Sequence, residues 1–244
     1  MEEEGRKFIR YVMPGLVFAV ETLLFFLIVL PDPTVCFLSK VILSKDGSLG
    51  TLAGVFFASG GLGYIFATVH HCVHWRFEED IFNHRPIINE LNKKQLVELD
   101  EKERTQLTPT NKVRMLTARE TAESISLALW YSLLTDKHKL GTDAIDSLSS
   151  HAHALGTARI ATVCAVVTTL GFSISHLTLS PYAYPIIIIP NILMPCLGIG
   201  IAWMFHDSYR RVALFAQKSY EMILDNECAK KKAENECAKK KASG

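Results

Sequence analysis

The chain has 244 residues, of which 49% are hydrophobic and 21% are charged, and its formal net charge is +1. A charge so close to zero gives no reason to expect a nucleic-acid duplex as a partner. The charges are segregated, because no Asp, Glu, Lys or Arg occurs from Gly47 to Val69 or from Ile160 to His206. This segregation is typical of an integral membrane protein surrounded by a lipid bilayer.

Four apolar stretches are each long enough to cross a bilayer, whose hydrocarbon core of about 30 Å takes about 20 helical residues. We predict transmembrane helices at about residues 9–30, 49–70, 158–179 and 185–205. The first follows the mixed-charge sequence MEEEGRK, and no small-x-small cleavage site comes after it. We therefore expect it to remain in the mature protein rather than to act as a secretory signal.

The first span carries a carboxylate, Glu21, near its midpoint. A carboxylate at mid-bilayer is unfavourable by roughly 2.5–3.5 kcal/mol on insertion scales, so we expect it to face protein or water. One interpretation is a hydrogen bond to Ser59, Thr168 or Thr169 at similar depth. The other is an acidic ring around the axis of a symmetric homo-oligomer, which would select cations. The face predicted to line that pore comprises Pro14, Val17, Phe18, Glu21, Leu24, Phe25 and Ile28.

The second span contains small residues at helical spacing. Gly50, Gly54 and Ala58 are four residues apart, and Gly61 continues the same line. Small residues let the backbones of two membrane helices approach closely, so this stripe predicts helix–helix association, within the chain or between chains.

Histidines follow the second span in the sequence HHCVHWRFEED. His70, His74 and Glu78 fall at i, i+4 and i+8 on one helical face, with His71 beside them, and this spacing suits zinc. A second hypothesis is a haem held between His70 or His71 and His206, near the inner ends of spans. The alternative is a set of interfacial histidines beside a headgroup-level anchor, Trp75.

The segment between the second and third spans predicts three helices and no strand. The first runs from Pro86 to about Gln106, and the second covers about residues 109–135. The third starts after LGTD and is expected to continue without a break into the third span. In the fourth span, Pro185, Pro190 and Pro195 predict an irregular and peripheral outer half.

Basic residues near the span ends determine the expected orientation. All but two of the 26 Lys and Arg residues fall on one side, which we assign to the cytoplasm of a cell (inner) membrane. The expected organisation is a cytoplasmic N-terminus (1–8), two spans with a short outer loop (9–70), a cytoplasmic helical domain (71–157), two further spans (158–205), and a cytoplasmic C-terminal helix with a Lys-rich tail (206–244).

These features favour an all-α, four-span membrane protein with a cytoplasmic helical layer, assembled as a homo-oligomer. The main functional hypothesis is an ion channel or pore-forming effector, gated when its cytoplasmic helices receive a small nucleotide or a protein partner, and acting by depolarising the membrane in bacterial defence or stress. No catalytic residue set is recognisable. The alternative is a zinc- or haem-dependent membrane oxidoreductase that uses His70, His71 and His74.

Overall fold

The computed structural model describes residues 5, 8–41, 48–77, 83–97, 99, 107, 112–133, 139–179 and 184–242. Throughout these residues the regular structure is helical and contains no strand. Four helices are long and apolar enough to cross a membrane, which confirms the four-span prediction at this level.

A π-helical turn, Phe8–Val12, leads into the first α-helix. The α-helices are α1 (Met13–Val29), α2 (Pro31–Val41), α3 (Ser48–Phe77), α4 (Arg85–Lys93), α5 (Lys112–Leu133), α6 (Lys139–Leu179) and α7 (Tyr184–Ala242). The chain divides into two compact units. The first, here called the membrane unit, comprises Met1–Phe77 and Ser149–Val212, and the second comprises Glu78–Leu148 and Ala213–Gly244.

In the membrane unit, α1 and α3 approach each other through glycines. A methyl group at Gly15 would overlap the backbone of Ser59, and one at Gly63 would overlap the carbonyl of Tyr11. The ring centroids of Phe18 and Phe66 are 5.2 Å apart across the same interface. The predicted packing stripe on α3 differs. A methyl at Gly50, Gly54 or Gly61 would meet nothing within 4 Å, and Ala58, the fourth member of the stripe, is exposed. Their use by a helix of another chain stays a prediction.

The last two spans pack against α1 in the same unit. Phe25 and Val29 of α1 form a cluster with Ala165 of α6 and Met194 of α7. Other large side chains of the unit are apolar and exposed, such as Phe57 at 78% and Trp203 at 71%. Large exposed apolar side chains of this kind suit contact with lipid chains rather than with water.

The second unit has its own core, formed by Ile88 and Leu91 of α4, Ala122 of α5 and Leu224 of α7. The Tyr220 hydroxyl donates to the Ser126 carbonyl at 2.8 Å and accepts a buried hydrogen bond of 2.6 Å from the Ser126 hydroxyl.

Two predictions about helix bounds are wrong. The helix expected to reach about residue 106 ends at Lys93, because Gln95 takes a left-handed conformation with φ of 56°. The backbone N–H of Leu96 then donates to the Leu91 carbonyl at 2.9 Å, which closes the helix end in a Schellman motif.

The second wrong prediction concerns the proline-rich fourth span, which is helical through Pro190 and Pro195 instead of irregular. Unwinding a turn in hydrocarbon would leave more backbone groups unpaired than each proline does, so the helix persists. The expected continuity of the third cytoplasmic helix with the third span is confirmed, since α6 is one helix.

Candidate functional site

The carboxylate of Glu21 lies inside the membrane unit. It is 8% exposed, and its hydrogen-bond partner is Thr162 on α6. The Thr162 hydroxyl is also 3.1 Å from the Ala158 carbonyl, and its single proton can serve only one acceptor at a time. The Oε2 atom of Glu21 is buried and has no hydrogen-bond partner among the described residues. The carboxylate therefore keeps an unused acceptor in the interior of the unit.

The partners proposed from the sequence make other bonds. Ser59 donates to the Val55 carbonyl at 2.7 Å, and Thr169 donates to the Ala165 carbonyl at 2.9 Å. Thr162 also bonds back within its own helix, but it is the hydroxyl residue that interacts with the Glu21 carboxylate.

Most of the face predicted to line a pore points into the chain's own interior. Pro14, Glu21 and Phe25 are buried, whereas Leu24 is 51% exposed. The remaining members are partly buried; these are Val17, Phe18 and Ile28. The acidic ring concerns an assembly of several chains and stays a prediction, but the single chain already provides Glu21 with an enclosed environment.

Hydroxyl groups line the buried face of α6. Thr157, Thr162, Thr169 and Ser173 are all 0% exposed, and the Ser173 hydroxyl has no hydrogen-bond partner in the described part of the chain. Alanines fill the gaps between them on the same face, namely Ala158, Ala161 and Ala165. Of these hydroxyl residues, Thr169 was predicted from the sequence, whereas the helical spacing of Thr157, Thr162 and Ser173 is a signal that could have identified the others.

Arg159 lies one helical turn from Thr162 on α6. Its guanidinium donates to the Nδ1 atom of His206 at 2.6 Å and lies 5.6 Å from the centroid of the Tyr209 ring. Because a guanidinium can only donate, Nδ1 must be the acceptor, and the remaining ring proton of a neutral His206 is on Nε2. An arginine in this position was not predicted as a site residue.

Tyr209 connects this arginine to the histidines that follow the second span. Tyr209 is 1% exposed, and its hydroxyl is 2.8 Å from Nδ1 of His74. The ring of His70 is 5.2 Å from that of Tyr209 and 6.0 Å from that of His153, with the centroids as reference points. His70 and His74 are both buried, so the predicted shared helical face points into the unit.

The described residues bear on the zinc site and on a haem held by His70, whereas a haem held by His71 and His206 stays a prediction. Among them, no group of three or more His, Cys, Asp or Glu side chains could hold a metal ion, and Glu78 lies outside the described residues. A haem between His70 and His206 lacks space at the His70 ring. That ring packs edge-to-face with Tyr209, and it would overlap a methyl group placed on Gly156.

The contact between Glu21 and Thr162 also relates positions on two of the spans. Thr162 is only four residues into the predicted third span, yet it lies beside Glu21, the midpoint of the first. The candidate span on α6 lies within Ala144–Ser175, a range that begins earlier than the predicted third span. Arg159 then lies about 4.5 Å from Thr162 along the helix axis, at a rise of about 1.5 Å per residue. A carboxylate and a guanidinium thus belong to the same layer of the membrane unit.

Comparisons with protein-family models, with curated proteins and with solved structures gave no match.

Proposed function

We propose that the protein is an ion channel of the cell (inner) membrane, that Glu21 controls passage of the ion, and that the permeant ion is the proton. The observation that carries this proposal is the carboxylate of Glu21 in the interior of the membrane unit, with one oxygen unpartnered among the described residues. Ionisable side chains inside membrane spans are costly and commonly mark ion or proton pathways.

A series of polar side chains supports the choice of the proton. It passes from Glu21 and Thr162 to Arg159, then to Tyr209 and His74. Arginine and threonine would position the charge and hydrogen bonds, whereas glutamate and histidine can take up and release protons. Water molecules would have to complete the path between these groups, because Arg159 meets the Tyr209 ring at 5.6 Å rather than through a hydrogen bond and a guanidinium cannot accept a proton.

The wider role follows from the expected orientation. We place both termini and the helices of the second unit in the cytoplasm, on the side that carries most of the Lys and Arg residues. A small nucleotide or a protein bound to those helices would be the activating signal. Opening would dissipate the membrane potential, as expected of a defence or stress effector.

Proton flux into liposomes tests the role of Glu21. The full chain is reconstituted with a pH-sensitive dye inside, and a potassium gradient with valinomycin drives proton entry. We expect Glu21→Gln to abolish the flux and Glu21→Asp to retain part of it. Glu90→Gln is the matched control, because it removes an exposed carboxylate of α4. Equal flux through wild type and Glu21→Gln would refute the proposal.

Mixed assemblies distinguish a path in each chain from an acidic ring. Wild-type and Glu21→Gln chains are combined in known ratios before reconstitution. A path within each chain predicts flux proportional to the wild-type fraction. A ring shared by several chains predicts a much steeper loss, because one glutamine would disturb the whole ring.

A further inference from the structure

We propose that a cavity in the membrane unit, here called the Arg10 cavity, binds a phosphate group, supplied either by an anionic lipid headgroup or by free phosphate. Its volume is about 370 Å³, which falls within the range of about 300–1,000 Å³ typical of small-molecule sites. Its polar lining consists of Arg10, Tyr11, Tyr64, Thr68, His71 and His153.

The lining has the chemistry of an anion site. Arg10 offers a planar set of N–H donors that matches the oxygens of a phosphate group. The imidazole rings of His71 and His153 are 5.6 Å apart, and the phenol rings of Tyr11 and Tyr64 are 5.8 Å apart. No Asp or Glu occurs among the described residues that line the cavity. Its donors and its one permanent positive charge therefore favour an anion.

The local backbone supports a dedicated site. Arg10 and Tyr11 both belong to the π-helical turn Phe8–Val12, and such turns occur frequently at functional sites. The guanidinium of Arg10 lies 5.6 Å from the centroid of the Tyr11 ring, which restricts its direction. Close packing of Gly63 against the Tyr11 carbonyl holds this turn against α3.

The position in the chain is appropriate for a headgroup. Arg10 and Tyr11 stand at the start of the first predicted span, and His71 follows the end of the second. Both points belong to the side with most Lys and Arg residues, and basic pockets between membrane helices on that side bind anionic headgroups. This site does not include Glu21, so its occupation and the proton flux can be tested separately.

Native mass spectrometry of the full chain in mild detergent tests the site. Phosphatidylglycerol or phosphatidylcholine is added at equal concentrations, with and without inorganic phosphate. We expect preferential retention of phosphatidylglycerol, and binding weakened about tenfold or more in Arg10→Gln, because a charge-assisted hydrogen bond is lost. Tyr64→Phe should weaken it by about two- to tenfold while preserving the fold, because Tyr64 is largely exposed.

The control is Arg211→Gln, which removes an exposed arginine that is paired with Asp207 at 2.8 Å. Competition by inorganic phosphate would support recognition of a free phosphate group. Retention that depends on Arg10 but resists inorganic phosphate would support a lipid headgroup as the source. Phosphatidylcholine carries the same phosphodiester, so equal retention of it would support recognition of the phosphate rather than of the net charge of the lipid. The proposal is overturned if Arg10→Gln and Arg211→Gln behave alike.

Discussion

The close contact between α1 and α3 predicts a large difference between two substitutions of the same type, Gly63→Ala and Gly61→Ala. The new methyl at position 63 would overlap the Tyr11 carbonyl and lie 3.3 Å from the backbone nitrogen of Gly15. The methyl at position 61 would meet nothing within 4 Å. Both glycines are helical, and no glycine in the described residues has positive φ, so an alanine fits either backbone.

The two substitutions share the same gain in helix propensity, which therefore cancels in their difference. The difference in stability is then the cost of inserting a methyl into a packed interface, which is about 1–3 kcal/mol. We expect the upper part of this range, because the atoms that the new methyl would overlap belong to the backbone. At about 2–4 °C per kcal/mol for a chain of this size, we expect the unfolding midpoint of Gly63→Ala to fall about 4–12 °C below that of Gly61→Ala.

Thermal unfolding of both variants in the same detergent, followed by circular dichroism, measures this difference. A shared loss of stability would indicate that the predicted stripe at position 61 is covered by another chain. If Gly63→Ala unfolds at the same temperature as Gly61→Ala and wild type, the described approach of α1 to α3 is refuted.

Two further predictions concern the second unit. Tyr220→Phe removes the hydroxyl that is hydrogen-bonded to the side chain and the carbonyl of Ser126. We expect the free energy of unfolding, measured by chemical denaturation, to fall by about 1–3 kcal/mol. Lys94→Met should leave the unfolding midpoint within experimental error at about 0.15 M salt, because the ion pair of Lys94 with Asp225 is exposed. The hydrogen bond with Asp225 raises the pKa of Lys94 above its usual value of 10.5. Any stabilisation by the pair is therefore complete below pH 10.5 and is lost as the pH rises through the higher pKa of the folded state. The prediction is contradicted if the unfolding midpoint of Lys94→Met differs from that of wild type at neutral pH and approaches it at high pH.

Local features of the sequence were sufficient to predict the four spans and the all-α class. Hydropathy over about 20 residues reports whether a segment can lie in hydrocarbon, and this property needs no knowledge of its neighbours. The same applies to the continuity of α6, where no residue near Gly156 is strong enough to end a helix. The end of α4 was missed because Gln95 carries none of the usual glycine signal for a left-handed residue.

The environment of Glu21 was decided by tertiary structure. Its position in the span was evident from the sequence, but its contact with Thr162 depends on the rotation and the axial offset of two helices that are far apart in the chain. Periodicity identifies a face of a helix without identifying what that face meets. The same reason explains why Arg159 and Tyr209 were not foreseen as neighbours of the histidines, since packing across three helices brings them together.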